Sequence, residues 1–375
     1  VGMARTAKTA GFEKIIGFDM GGTSTDVSHY AGEFEREFET QVAGVRMRAP
    51  MMSIHTVAAG GGSILSFDGS RYRVGPESAG ANPGPTSYRR GGKLAVTDCN
   101  VMLGKIQPNF FPSVFGPNAD QPLDHAAVVQ KFTEMSDEIF KSTGNRRTPE
   151  EVAEGFIDIA VGNMANAIKF ISVQRGHDVT EYTLTTFGGA GGQHACLVAD
   201  ALGMTRVFAH PMAGVLSAYG MGLADQTAMR EQAMELVLTD SALDTLKQNL
   251  DTLSSQARSD LLSQGVEEFR IEMVQRVHLR YDGTDSVIVV PFDTISNMIA
   301  NFETAYKKRY SFLMQGKNMV VEAISVEAIG VSADTEEVMD DLTPRNGPLQ
   351  AAETVQLFSG GKWHATGLPR PRREP

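Results

Sequence analysis

The stretch Ile15-Ile16-Gly17-Phe18-Asp19-Met20-Gly21-Gly22-Thr23-Ser24-Thr25-Asp26 decides how the rest of the chain is read. An apolar run ends in Asp19, turns through Gly21-Gly22-Thr23-Ser24, and resumes as a second extended run from Thr25 to Tyr30, which predicts a hairpin. Such a turn gathers backbone N–H groups and threonine hydroxyls around one small volume, and glycine lets a ligand approach the backbone closely. That geometry suits a phosphate. Asp19 and Asp26 flank the turn, placed to hold Mg²⁺ or to position an attacking water. The competing reading is a plain hairpin with a type I′ turn and two Asp caps.

A second glycine string, Phe187-Gly188-Gly189-Ala190-Gly191-Gly192-Gln193-His194, reads as strand, glycine loop and helix N-terminus, whose free N–H groups favour negative charge. It lacks the Lys-Ser/Thr of a P-loop and the strict G-x-G-x-x-G spacing. Taken with Gly21, Gly22, Thr23 and Thr25, the residues Gly188, Gly189, Gly191, Gly192 and Gln193 predict two lobes, each offering a glycine turn to one nucleotide. Residues 51–92 are also rich in Gly and Pro but poor in charge. This argues for backbone packed around something rather than a linker.

The remaining pattern alternates helices and strands. Helices are expected at 1–11, 124–143, 149–175, 193–202, 214–224, 240–265 and 294–310, and strands at 183–187, 206–209, 269–291 and 319–333. Phe34, Phe38 and Val42 are core candidates in strands between 31 and 50. The texture changes after Asp225, giving an α/β core over 1–230, an α+β unit over 231–363 and a divergent tail over 364–375.

Composition narrows the function classes. The 375 residues are 42% apolar and 21% charged, with formal net charge −11, a poor match to nucleic acid or an anionic membrane. No run approaches the roughly 18 apolar residues of a membrane span. Cys99 and Cys196 are the only cysteines, too few for a disulfide framework, which fits a reducing cytoplasm. The basic stretch Arg370–Arg373 reads as a solvated end.

Other candidates are His55, Asp98 and His194, which would form a metal or substrate site if they converge. For each lone histidine the ordinary alternative is a hydrogen-bonded structural role. Glu77, among glycines and prolines, is a candidate substrate or Mg²⁺ contact, its alternative a surface carboxylate. His177 and Asp178 follow a helix end at Gly176, where capping competes with catalysis. Cys196 reads as a buried inert thiol.

These strings together resemble the hydantoinase A/5-oxoprolinase family. The resemblance also rests on Ile54 to Ser63, Val74 to Ala81, Val96-Thr97-Asp98, Arg175-Gly176-His177-Asp178 and Gly214 to Gly220. Phe115 to Leu123 and Leu279 to Asp285 are similar to the 5-oxoprolinase branch in particular. The resemblance implies an actin/sugar-kinase/Hsp70-like, ribonuclease H-like ATPase fold and the use of ATP with Mg²⁺. It implies ring opening of a lactam, 5-oxoproline first, with a hydantoinase B-type subunit or domain as partner in a homo- or hetero-oligomer. Family members carry an earlier D-x-G-G-T motif in an N-terminal domain, and this chain begins after it. Three alternatives remain: an N-methylhydantoinase or ketone-carboxylase subunit, a nucleotide-binding partner without ring chemistry, and a structural actin-like protein, which the residues 58–92 loops count against.

Overall fold

The computed structural model describes residues 1–42, 45–331 and 351–369, and of 37–42, 45–50 and 369 the backbone alone. Helix α1 (Gly2–Thr9) leads into β1 (Lys14–Met20), and β2 (Thr25–Ala31) returns antiparallel beside it, with Asp19 opposite Asp26 and Met20 opposite Thr25. A small hairpin, β3 (Arg36–Val42) with β4 (Val45–Met52), precedes β5 (Ile54–Val57), which pairs antiparallel with β2. Strands β6 (Ser63–Phe67) and β7 (Tyr72–Ser78) form another hairpin. Helices α2 (Val96–Met102), α3 (His125–Thr143) and α4 (Pro149–Ile171) follow. Then come β8 (Thr183–Phe187), α5 (Ala195–Leu202), β9 (Val207–Phe208) and α6 (Leu216–Gly222).

The main sheet has the order β5-β2-β1-β8-β9, with β8 and β9 parallel to β1. Only β2 runs against the others, the ribonuclease H-like arrangement of an actin-type ATPase lobe. Strand β1 is covered on both faces, so its side chains divide by parity. Ile16, Phe18 and Met20 join the large core built around α4, whereas Ile15 packs with Met3, Ala7 and Leu216 beneath α1 and α6. Burying each such side chain contributes about 1.5–3 kcal/mol. Gly17 is needed on the second face, because a Cβ there would lie 2.5 Å from Ser28 Oγ and 2.8 Å from Met3 Sδ. Asp19 follows Ile15 and Gly17 on that face, and this parity aims it at α6.

Helix α4 starts at a capping box, Thr148 and Glu151 each bonding the other's backbone N–H, with Pro149 in its first turn. It has the length and mean hydropathy (1.3) of a membrane span, contrary to the expectation that no segment would, yet 56% of that window is buried inside the fold. Its Phe156, Ile157, Met164 and Ile168 instead fill the core over the sheet.

The second unit is an antiparallel sheet of order β10-β13-β11-β12, from β10 (Gln226–Val237), β11 (Ile271–Tyr281), β12 (Ile288–Pro291) and β13 (Met319–Gly330). Helix α7 (Asp240–Ser263) buries Leu246, Leu250, Leu253, Ala257 and Leu261, a stripe at helical spacing. Helix α8 (Ile295–Tyr310) adds Met298, Phe302 and Tyr306 to the same core. A boundary at 230/231 falls inside β10, because that whole strand pairs with β13.

The last described hairpin, β14 (Ala351–Ser359) with β15 (Lys362–Pro369), returns to the first unit. Phe358 is buried in the first core and donates its N–H to the Leu103 carbonyl (2.9 Å), and the Gly360 N–H reaches Glu154 (2.7 Å). Residues 351–363 therefore pack with the first unit rather than with the α+β unit, and 364–369 are strand. Arg370–Arg373 lie outside the described residues, as do the side chains of Phe38 and Val42. Phe34 is half-buried against Tyr30.

Candidate active site

Both glycine loops leave the same edge of one sheet. Strands β1 and β8 are parallel neighbours, with Asp19 level with Phe187, so the loops that follow them are adjacent. The Ala190 N–H donates to the Met20 carbonyl (2.9 Å). This corrects the expectation of two lobes facing each other across a nucleotide. Parallel strands can be distant in sequence and still adjacent in space, as the long crossover between β2 and β8 allows.

A third glycine segment closes against the first. Gly61 N–H donates to the Gly21 carbonyl (3.0 Å), Gly62 N–H to that of Gly22 (2.5 Å), and Thr97 N–H to that of Gly61 (2.7 Å). The glycines then divide by what surrounds them. A Cβ at Gly60 would lie 2.6 Å from the Thr23 carbonyl carbon, at Gly62 2.9 Å from the Gly22 oxygen, and at Gly191 2.6 Å from Thr186 Oγ1. Gly60 and Gly62 are glycine because backbone packs on backbone, and Gly191 because the Thr186 hydroxyl fills the space. At Gly22, Gly189 and Gly192 a Cβ would meet nothing within 4 Å. Those three line open space, as a bound group would require. Neither Gly21 nor Gly22 has positive φ, so the turn is not type I′.

Asp19 and Asp26 form a row across the sheet with Thr56 and Phe187. Ser217 on α6 donates to Asp19 Oδ2 (2.8 Å), and Thr56 donates to Asp26 Oδ1 (2.5 Å). Burial pushes the Asp19 carboxyl above the usual carboxylate range and the Asp26 charge adds to this, while the Ser217 hydroxyl opposes both. Between this row and the α1–α6 pair lies a cleft of about 350 Å³, lined by Asp19, Asp26, Ser28, Phe187, Leu216 and Ser217 among others. Its lining is largely apolar but carries the two carboxylates and the hydroxyls of Ser28 and Ser217. Sequence reasoning quoted Ser217 within a family string but gave it no role; no local signal marks it, since its contact with Asp19 is tertiary.

Several expected site residues are placed differently. The Thr25 hydroxyl is buried and donates to the Ala59 carbonyl, so it holds the hairpin to the third loop and does not face the open space. Thr23 is exposed at the turn and Gln193 half-buried in the second loop. Glu77 is exposed on β7, outside the cleft, two residues before Ala79, whose N–H donates to the Gly62 carbonyl (2.8 Å).

His55, Asp98 and His194 do not converge as ligands; the His/Cys/Asp/Glu group with metal-ligand spacing among the described residues is elsewhere. The buried Asp98 carboxylate accepts from the N–H groups of Thr86 (3.0 Å), Ser87 (2.9 Å) and Ala95 (2.9 Å), which pins the start of α2. His55 lies on β5 with its ring 4.5 Å from that of Phe170. His194 is fully buried, and its Nε2 accepts from the Asn100 amide (3.1 Å). Asp178 caps a one-turn helix by accepting from the Thr180 N–H (3.0 Å). Cys196 is exposed and Cys99 buried, the reverse of the reading for Cys196, because α5 turns that position to solvent.

Burial, reinforced by the nearby Lys105 ammonium, lowers His194 to about 3. The folded state thus keeps it neutral while the unfolded chain takes a proton below pH 6.5, so stability present above 6.5 is lost on acidification. Between pH 6.5 and 5 the expected loss is about 2 kcal/mol, 1.5 units at about 1.4 kcal/mol each. Urea unfolding at several pH values checks this, and His194→Gln is expected to flatten the dependence. Equal slopes in both proteins would assign the acid sensitivity to other groups.

The sheet order is that of the actin-like fold class. The comparisons with known proteins are specific. The Hydantoinase/oxoprolinase family model matches residues 1–230, and the chain belongs to that family. It is similar to the 5-oxoprolinase of Dictyostelium discoideum, 40% identical over 348 residues, covering 92% of this chain and 27% of that protein. The 5-oxoprolinase of Saccharomyces cerevisiae is 42% identical over 327 residues, covering 86% of this chain and 25% of that one. The crystal structure of ATP-dependent caprolactamase from Pseudomonas jessenii superposes with a TM-score of 0.76 at 26% identity, covering 89% of this chain and 49% of that chain. The chain thus spans about a quarter of the length of the curated 5-oxoprolinases it matches.

Proposed function

We propose that this chain is the ATP-binding portion of an ATP-dependent cyclic amide hydrolase whose substrate is 5-oxoproline. The observation that carries the reading is the glycine edge, where Gly22, Gly189 and Gly192 face open space beside the Asp19–Asp26 pair. The similarity to two 5-oxoprolinases at 40–42% identity selects the substrate.

A lactam resists water because amide resonance disfavours attack. Transfer of the γ-phosphoryl group to the ring carbonyl oxygen, with release of ADP, makes that carbon electrophilic. Water then adds and the C–N bond breaks, leaving an acyl phosphate that a second water cleaves to glutamate and phosphate. In this reading Gly21, Gly22 and Thr23 receive phosphate oxygens, and Gly188 to Gln193 border the rest of the nucleotide. Asp19, held by Ser217, and Asp26 accept a proton from attacking water or carry Mg²⁺. A divalent cation fits that pair because it would offset the burial that raises Asp19 and the smaller repulsion from Asp26, and when bound it neutralises phosphate charge. Glu77 stands at the rim. A hydantoinase B-type chain or domain supplies the remaining surface in a hetero-oligomer in the cytoplasm.

Calorimetric titration with ATP in the presence of Mg²⁺ tests the nucleotide half of this reading; saturable binding is expected. Phosphate release by the protein at its relatives' full length, compared across 5-oxoproline, hydantoin and caprolactam, tests the substrate. Preference for either of the last two would move the protein to another branch of the family.

A further inference from the structure

We propose that His29, Glu35 and His177 form a site for one zinc-class divalent cation, at the end of the main sheet remote from the glycine loops. Among the described residues this is the group of three or more His, Cys, Asp or Glu whose ligating atoms all lie within 4.8 Å of one another. The three come from separate places. His29 is on β2 opposite Ile16, Glu35 lies between β2 and β3, and His177 follows the turn after α4.

Two features beyond proximity point to a cation. The His29 side chain is only 3% exposed, and its Nδ1 has no aligned hydrogen-bond partner although Glu35 Oε1 stands 2.7 Å away. In addition, both imidazoles rest their outward nitrogens on one hydroxyl: Tyr182 Oη lies 2.9 Å from His29 Nε2 and 3.1 Å from His177 Nδ1. A hydroxyl oxygen accepts two N–H bonds, and that outer contact is what orients metal-binding histidines. Where both outer nitrogens donate to that oxygen, His29 Nδ1 and His177 Nε2 turn their lone pairs toward the Glu35 carboxylate. Lone pairs and an anionic oxygen repel unless a cation lies between them.

Two histidines and one glutamate are a familiar zinc ligand set that leaves a coordination position open. Bonds of about 2.1 Å at tetrahedral angles separate ligand atoms by about 3.4 Å. His177 Nε2 is 3.5 Å from Glu35 Oε1, which matches; the 2.7 Å from His29 Nδ1 must widen as the ion enters. Arg175 pairs with the other Glu35 oxygen, so Oε1 is the one that faces the two histidines. The rival occupant is a proton. Lys308 Nζ on α8 lies 3.1 Å from His177 Nδ1, and by donating there it would put the His177 proton on Nε2, facing Glu35. The site stands at the seam between the two units, where Arg36 and Arg276 also converge on the buried Glu327. It does not depend on the nucleotide reading.

The test uses the full chain without a histidine tag, stripped with EDTA, titrated calorimetrically with Zn²⁺ and melted with and without the ion. The expected result is one ion per chain at micromolar affinity or tighter, with a higher Tm. His177→Ala and Glu35→Gln should lose both effects, and His364→Gln should keep them. Tyr182→Phe retains all three ligands and is expected to weaken binding about 10- to 100-fold, a change that packing alone would not produce. Circular dichroism confirms that each protein is folded. No saturable binding by the folded wild-type chain would make the cluster a proton-held network. Binding that survives His177→Ala would place zinc elsewhere. Either result overturns the proposal.

Discussion

Asp19→Asn is expected to lower ATP turnover about 10³-fold or more, because a carboxylate beside the transferring phosphoryl group acts by position and charge, and an amide keeps only the position. The fold should survive. Asn retains an oxygen to accept the Ser217 hydroxyl, now 2.8 Å from Asp19 Oδ2. Burial raises the Asp19 carboxyl above its unfolded value, so its charged form costs stability that is lost progressively as pH rises through the folded pKa. The variant escapes that cost and should melt no lower than wild type at neutral pH. Steady-state phosphate release on the full-length protein, beside a thermal melt, reads both effects. A folded variant with near-normal turnover would remove Asp19 from the chemistry, and a variant that melts early would make it structural.

Gly188→Ala should have the second-largest effect, and Gly192→Ala is its control. At Gly188 the backbone has φ +82°, and an added Cβ would lie 2.4 Å from Asp19 Oδ1 and 2.5 Å from the Met20 carbonyl oxygen. Left-handed backbone costs an alanine about 1–2 kcal/mol, and overpacking adds a comparable amount, so a loss of about 3 kcal/mol is expected. That displacement also moves Asp19, so nucleotide binding should fall with stability. At Gly192 nothing lies within 4 Å of an added Cβ, and stability should change by less than about 1 kcal/mol. Weaker nucleotide binding in a Gly192→Ala protein of normal stability would show that the open space is where the ligand sits. Undiminished binding there would move the ligand away from the second loop. Urea unfolding and calorimetry on the same samples separate the two effects.

How much of this was legible in the sequence depends on how far apart the contacting residues are. The β1–β2 hairpin and the helices α4 and α7 are local patterns, and each was legible in the sequence as a hairpin or a helix. The parity of β1 follows too, once both faces are known to be covered. The adjacency of the two glycine loops did not, because nothing in either string says that β8 lies beside β1. The same limit separates His55, Asp98 and His194. Each sits near glycines in the sequence, but Asp98 is consumed by three backbone N–H groups and His194 faces inward to Asn100. The cluster of His29, Glu35, His177 and Tyr182 has no sequence signature, since three separate segments meet only in the fold. Ser217 escaped assignment for the same reason.

The return of the β14–β15 hairpin to the first unit has a consequence for the order of events during synthesis. The ribosome releases every strand of the main sheet long before Phe358, yet that side chain belongs to the main sheet's core and its N–H closes on the Leu103 carbonyl. The α+β unit must emerge in between. A nascent chain therefore holds an early domain that is assembled but not sealed, with a seat for one aromatic ring open beside α2 and α4 until the last hairpin arrives.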